Sequence, residues 1–130
     1  MSESFNLEII SPDQTVLKAE IEKVIIPAFE GMMTILKNHI SLITFLRPGF
    51  LEVETKSGTE KFFVEEGTVE FSNNTLLILS STIINKKNFT SNQISEMLEK
   101  TKKEISGDNI SDKIRYILAH KISTLQEIKQ

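Results

Sequence analysis

Cysteine is absent from this chain of 130 residues. That excludes disulfides, a thiolate nucleophile and any Cys-ligated metal. Histidine occurs only twice, too few for a His-rich catalytic or zinc centre. The five glycines stand singly, so there is no glycine-rich loop to cradle a phosphate. No G-x-S-x-G pattern occurs. Glu65 and Glu66 are adjacent, so on a strand they point to opposite faces and make a poor acid/base pair. No apolar run approaches the roughly 20 residues of a membrane span. A strand-like pattern beginning at Phe5 leaves no room ahead of it for a signal or transit peptide. These absences together predict a chain with no enzymatic activity of its own, no metal and no cofactor.

Hydrophobic residues make up 39% and charged residues 25%, the balance of a soluble globular chain. The length suits one compact domain, or a small domain with an appendage. The net charge of −3 hides a division. Residues 1–85 carry 6 Lys/Arg and 12 Asp/Glu, whereas residues 86–130 carry 9 and 6. The acidic first part argues against a nucleic-acid surface, and the second part mixes acids with its bases. Such asymmetry suggests different partners for the two parts, or attraction between them.

From Phe5 to Leu79 short apolar runs alternate with turn signals. Phe5, Leu7 and Ile9 recur at period two until Ser11-Pro12-Asp13 breaks the run. Val24-Ile25-Ile26, Met32 to Leu36, Ser41 to Leu46 and Leu51 to Lys56 are further strands, separated by Glu30-Gly31, Lys37-Asn38-His39 and Arg47-Pro48-Gly49. Ser57-Gly58 occupies the place of a two-residue hairpin turn, with a strand following through Val64. Val69, Phe71 and Leu76 to Leu79 complete the series, around Asn73-Asn74. Eight or more short strands predict an antiparallel β-sandwich or flattened barrel over residues 1–85.

After Asn88 the period changes. Thr90 and Gln93 have capping-box spacing, and Ile94, Leu98, Thr101 and Ile105 then form one helical stripe with Met97 beside it. Ser106-Gly107-Asp108-Asn109 reads as a stop and a start, with Gly107 as a left-handed cap and Asp108 or Asn109 as the next N-cap. Ile114, Ile117, Leu118, Ile122, Leu125 and Ile128 form a second stripe. Residues 86–130 are thus expected to be an antiparallel two-helix hairpin. Two narrow stripes that bury each other predict weak docking on the sandwich, with Ile83 to Asn88 as a polar hinge.

In order and spacing these segments resemble the epsilon subunit of F-type ATP synthases, most strongly over residues 5–82. Phe5-x-Leu7-x-Ile9-Ile10-Ser11-Pro12-Asp13 resembles the family's first strand and turn. Glu30-Gly31 with Ile35-Leu36-x-Asn38-His39 resembles its "EGxxGILPxHAP" segment. Leu46-Arg47-Pro48-Gly49 resembles "LKPG", Val64 to Glu70 "VxGGxxEV", and Leu76 to Ile83 "VTILADTA". The resemblance implies a non-catalytic subunit at the foot of a rotating central stalk. Its partners would be the gamma subunit, the ring of c subunits and, through an extended hairpin, the catalytic beta subunit. Its place would be the cytoplasmic face of a bacterial inner membrane, or the stromal face of a plastid thylakoid. The folded hairpin would permit turnover and the extended one would block ATP hydrolysis.

The resemblance also marks residues. Ser11, His39 and Thr44 match positions that face the c ring; the plainer reading is a turn cap for Ser11 and a solvated loop residue for His39. Lys100, Lys102, Lys103, Lys113, Arg115 and Lys121 match hairpin cations that meet an acidic segment of the beta subunit, against the plainer reading of a solvated helix surface. Met32 stands where many relatives carry Glu, Thr34-Ile35 replaces Gly-Ile, and Ile40-Ser41 replaces Ala-Pro. Where some relatives bind ATP through Asp-x-x-Arg-Ala, this chain has Thr90, Gln93 and Ile94, so weak or no ATP binding is expected. Two other classes fit the residues alone: a stand-alone β-sandwich binding module dimerising through the 114–128 stripe, and a small hydrolase using His39 with a Ser.

Overall fold

A computed structural model of the chain describes residues 3–129. Ten strands come first: β1 Phe5–Ser11, β2 Gln14–Ile21, β3 Lys23–Ala28, β4 Gly31–Ile35, β5 Leu42–Leu46, β6 Gly49–Thr55, β7 Gly58–Val64, β8 Gly67–Ser72, β9 Thr75–Leu79 and β10 Ile83–Asn85. A single 3₁₀ turn, Lys86–Asn88, leads to helices α1 Ser91–Ile105 and α2 Asp112–Lys129.

The strands run in the order β10-β7-β6-β3-β5-β8-β9-β1-β2, with β4 also paired to β3. β3 joins β6 through Lys23 to Ile25 but touches β5 only at Ala28 opposite Leu46. The sheet folds over there into two layers, closing the sandwich. All described pairings are antiparallel except β1 with β9, which is parallel from Asn6–Thr75 to Ile10–Leu79. The alternating residues of the sequence meet between the layers. Leu7, Ile9, Ile21, Val24, Ile26, Leu51, Val53, Val69, Phe71, Leu76 and Ile78 are all essentially without solvent contact. Each such burial is worth about 1.5–3 kcal/mol, which makes this layer contact the main source of stability. Cross-strand ion pairs Lys23–Glu54 at 3.3 Å and Lys61–Glu52 at 3.8 Å dress the outer surface of β6.

Local signals place the turns. Asn73 and Asn74 both take positive φ, 50° and 53°, as a two-residue hairpin between strands of right-handed twist requires. At the other hairpin the turn residues are Lys56 and Ser57, one position earlier than expected, and Gly58 begins β7 at φ 135°.

Two strands carry no clear signal in the sequence. β2 is an edge strand whose exposure is irregular along Gln14–Ile21, so no clean alternation marks it. β10 lies in the segment expected to hinge: Ile83, Ile84 and Asn85 pair with Val64, Phe63 and Phe62 of β7.

In α1 the capping box forms as its spacing predicts. Thr90 Oγ1 accepts from the Gln93 amide at 3.2 Å, and Gln93 Oε1 accepts from the Thr90 amide at 2.9 Å. The link between the helices differs from expectation. Ser106 in right-handed conformation ends α1, the left-handed residue is Asn109 at φ 66°, and Ser111 Oγ, not Asp108 or Asn109, accepts from the Ile114 amide at 3.1 Å to begin α2. Asparagine is one of the few residues besides glycine that adopt the left-handed region, and its doing so here leaves Gly107 without the role its type suggested.

The hairpin does not bury its apolar stripes only against itself. Ile94, Leu98 and Leu125 share a second core with Phe63 of β7 and Phe89 of the link, and Ile84, Met97, Ile122 and Ile128 pack on it. The Phe63 and Phe89 rings lie 5.3 Å apart. Phe62 faces the sandwich interior and Phe63 faces the helices, so β7 is covered on both sides.

Candidate functional site

The two outer faces of the sandwich have different fates. The hairpin lies over the face bearing Phe63 and Ile84. The outer face of β5, β8 and β9 keeps large apolar side chains in the open: Ile43 is 75% exposed, Phe45 62% and Leu79 41%. Register explains the cluster. Phe45, Thr68 and Leu79 lie side by side across the three strands, and Ile43, Glu70 and Leu77 form the adjacent row. Period-two alternation sends Leu46 inward and Phe45 and Ile43 outward. Charge is sparse, with Glu70 in the second row. A surface of this kind marks a docking face.

A groove of about 630 Å³ continues this face toward α2, between Phe45 and Thr68 on one side and Lys113 and Ile117 on the other. Phe29 and Glu30, from the β3–β4 turn, form its end.

The three residues matched to ring-facing positions do not come together. Ser11 Oγ donates to the Gln14 carbonyl at 3.2 Å within the β1–β2 turn, level with Leu79 and Gly67. His39 lies beyond the opposite end of β5, edge-on to Phe71 at 5.9 Å, with Nδ1 2.7 Å from the Ile40 carbonyl. At about 3.4 Å per residue the strand between them puts Ser11 and His39 at opposite ends of the layer. Thr44 is not a loop residue. It is 6% exposed in mid-strand, and its hydroxyl lies 3.0 and 3.2 Å from the two Glu30 carboxylate oxygens. No serine hydroxyl is among the partners found for His39, which leaves the hydrolase reading without a dyad among the described residues.

The six hairpin cations separate into two groups. Lys100, Lys102 and Lys103 are exposed on α1, where Lys103 pairs only loosely with Glu99 at 3.9 Å. The other three serve the chain itself. Lys113 Nζ stands 5.8 Å from the centre of the Phe29 ring. Arg115 Nη1 donates to the Ile105 carbonyl at 3.1 Å, tying α2 to the end of α1. Lys121 Nζ lies 2.5 Å from Glu65 Oε1, with only 14% and 23% of the two side chains exposed.

Two of these belong to a feature sequence reasoning missed. Lys113, Tyr116, His120 and Lys121 recur at helical spacing and form a polar stripe by which α2 meets the sandwich. Tyr116 Oη donates to the Phe29 carbonyl at 2.7 Å, and its ring lies 5.1 Å from that of Phe29. His120 stands edge-on to Tyr116 at 4.5 Å. The spacing was the available signal, but a search confined to apolar residues passes over it.

Positions where some ATP-binding relatives carry their motif have other work here. Thr90 and Gln93 bond each other's backbones, and Ile94 is buried in the second core. Among the described residues no cluster of His, Asp or Glu has the arrangement of a metal site. Most of the 114–128 stripe is occupied inside the chain, since Leu118 and Leu125 are buried and Ile122 and Ile128 pack on the second core, while Ile114 at its start is exposed.

Comparison with known proteins gives a consistent result. The beta-sandwich domain of the ATP synthase delta/epsilon chain matches residues 4–86. The ATP synthase epsilon chain of Pelagibacter ubique is 42% identical over 129 residues, 98% of this chain and 99% of that one. The epsilon chain of Sinorhizobium medicae is 30% identical over 116 residues, 88% and 87% of the two chains. A chain in the Euglena gracilis mitochondrial ATP synthase structure, comprising OSCP, F1 and c-ring, shares the fold with a TM-score of 0.80 at 18% identity, covering 100% of this chain and 84% of that one. A chain from the central stalk and c-ring of the Tetrahymena thermophila enzyme does so at 0.68 and 15%, covering 96% of each.

Proposed function

This chain belongs to the epsilon-chain family of ATP synthases and is a non-catalytic central-stalk subunit; from that premise we propose that its sandwich is the mount joining gamma to the c ring and its hairpin a brake on ATP hydrolysis. The observation that carries the mount is the open apolar face of Ile43, Phe45 and Leu79. A rigid two-layer unit with one unprotected apolar face suits a part that transmits torque through a fixed contact. Gamma takes that face. One end of the sandwich supplies polar contacts to the c ring, so Ser11 and His39, at opposite ends, are alternative candidates, with Thr44 acting through Glu30. The chain sits at the cytoplasmic face of a bacterial inner membrane through these partners, in keeping with its bacterial relatives. No described helix is long and apolar enough to cross a membrane.

The brake divides the chain at Asn85, where the last strand ends. Residues 1–85 stay on the stalk and residues 86–130 move. Lys100, Lys102 and Lys103 already face solvent and meet the acidic segment of the beta subunit directly; Lys113 and Arg115 are also exposed, whereas Lys121 is released from Glu65 only when α2 leaves its seat.

The test reconstitutes the matched catalytic complex with the wild-type chain, with Ile43→Asp/Phe45→Asp, or with Lys100→Glu/Lys102→Glu/Lys103→Glu. The first variant fails to bind. The second binds but releases ATP hydrolysis. Full binding by the first removes the mount from this face, and unchanged hydrolysis with the second removes the brake from these lysines.

A further inference from the structure

His120 occupies a cleft of about 310 Å³ between α2 and the sandwich, with Arg47 and Met32 at the sandwich end, Glu52 of β6 and Lys61 of β7 opposite, and Glu127 further along α2. Its ring is held edge-on against Tyr116, the residue whose hydroxyl anchors α2 to Phe29. The charges around it are unevenly matched. Glu52 is engaged by Lys61. Arg47 spends its guanidinium on weak or neutral acceptors: Nη1 donates to the Pro48 carbonyl at 3.0 Å, Nη2 lies 3.5 Å from the Met32 thioether, and Nε is buried without a partner among the described residues. Among the described residues neither Arg47 nor His120 forms an ion pair within 4.0 Å.

We infer that protonation of His120 weakens the seating of α2 on the sandwich, so that the position of the hairpin responds to the proton concentration around the subunit. This rests on the reading of the hairpin as a movable element. In the seated form a proton on His120 creates a second cation beside Arg47 in a space partly closed to water, with Glu52 engaged by Lys61 and Glu127 about two turns along α2. In the unseated form the same imidazolium is hydrated. Burial first, and the Arg47 charge second, hold the imidazole below its ordinary value of 6.5. The seated form therefore prefers neutral His120. Seating is fully supported above that ordinary value and weakens as pH falls through it toward the lowered one. One proton limits the response to about tenfold in the unseated-to-seated ratio per pH unit.

The test uses the full chain carrying spin labels at Ser57→Cys and Ala119→Cys, both exposed, since the chain has no other thiol. Between pH 7.5 and 5.5 the interlabel distance distribution of the otherwise wild-type chain broadens toward longer values. His120→Gln abolishes that change, and Met32→Glu, which gives Arg47 a carboxylate partner, reduces it. An unresponsive parent chain, or a His120→Gln chain that responds like the parent, overturns the inference. ATP hydrolysis by the assembled complex is read in parallel: distances that move while hydrolysis does not leave the proton response standing and remove the brake.

Discussion

Lys121 reaches across from α2 to Glu65, at the end of β7, and closes to 2.5 Å in a setting that shields both side chains from most of the solvent. Two features of the sequence that looked unrelated, a helix cation and an adjacent pair of acids, are one contact. Lys121→Ala loosens the hairpin, and a double-mutant cycle with Glu65→Ala yields a coupling of about 1 kcal/mol, read from urea unfolding. The exchanged pair Lys121→Glu/Glu65→Lys recovers most of the loss. A coupling near zero shows that the pair does not hold α2.

Phe63 is the side chain most responsible for joining helices to sheet, because it is fully buried on the outer face of its own sandwich. Phe63→Ala leaves a cavity shared by Phe89, Ile94, Leu98 and Leu125 and costs about 3–5 kcal/mol. Denaturant unfolding followed by helical circular dichroism measures it. A cost below about 1 kcal/mol contradicts a shared core.

Phe45 is the opposite case. Being largely exposed, it contributes little to folding, so Phe45→Asp shifts stability by no more than about 0.5 kcal/mol. Its effect falls on association with gamma, measured by titration of the gamma-containing complex. Loss of stability together with loss of binding assigns Phe45 to the fold instead.

Thr90→Ala removes the Oγ1 acceptor that begins α1 and costs about 1 kcal/mol, with faster amide exchange at Gln93 and its neighbours. Thr90→Ser retains the acceptor and nearly all of the stability. Equal exchange in the two variants contradicts the capping role.

The parts of this structure that were legible in the sequence are those in which one residue type decides the outcome locally. Alternation at Phe5, Leu7 and Ile9, paired asparagines at 73 and 74, and the Thr90–Gln93 spacing each carry their geometry within a few positions. The parts that were not legible depend on contacts between distant segments. β2 is held at an edge by β1 and shows solvent an irregular pattern. Ile83 to Asn85 became a strand because β7 offered an open edge beside it. Thr44 faces inward with Leu46 by the alternation of β5, but the Glu30 carboxylate that partners its hydroxyl comes from a distant turn. The seat of α2 was hidden for a different reason: its contacts are made by Lys, Tyr and His, residues that a search for apolar periodicity counts as solvent-facing.

The parallel pairing of β1 with β9 has a consequence for the order of assembly. The first strand finds its in-register neighbour only after Leu79 has been made, with the whole of the intervening sheet between them. During synthesis β1 therefore waits, with only β2 beside it and its other edge unpaired, and closure of the sandwich is a late event dominated by contacts distant along the chain. The helices form from neighbours in sequence, but the core they share with Phe63 and Phe89 still needs β7 in place. The sandwich is thus the part that closes late, and the free edge of β1 is open to aggregation until β9 emerges.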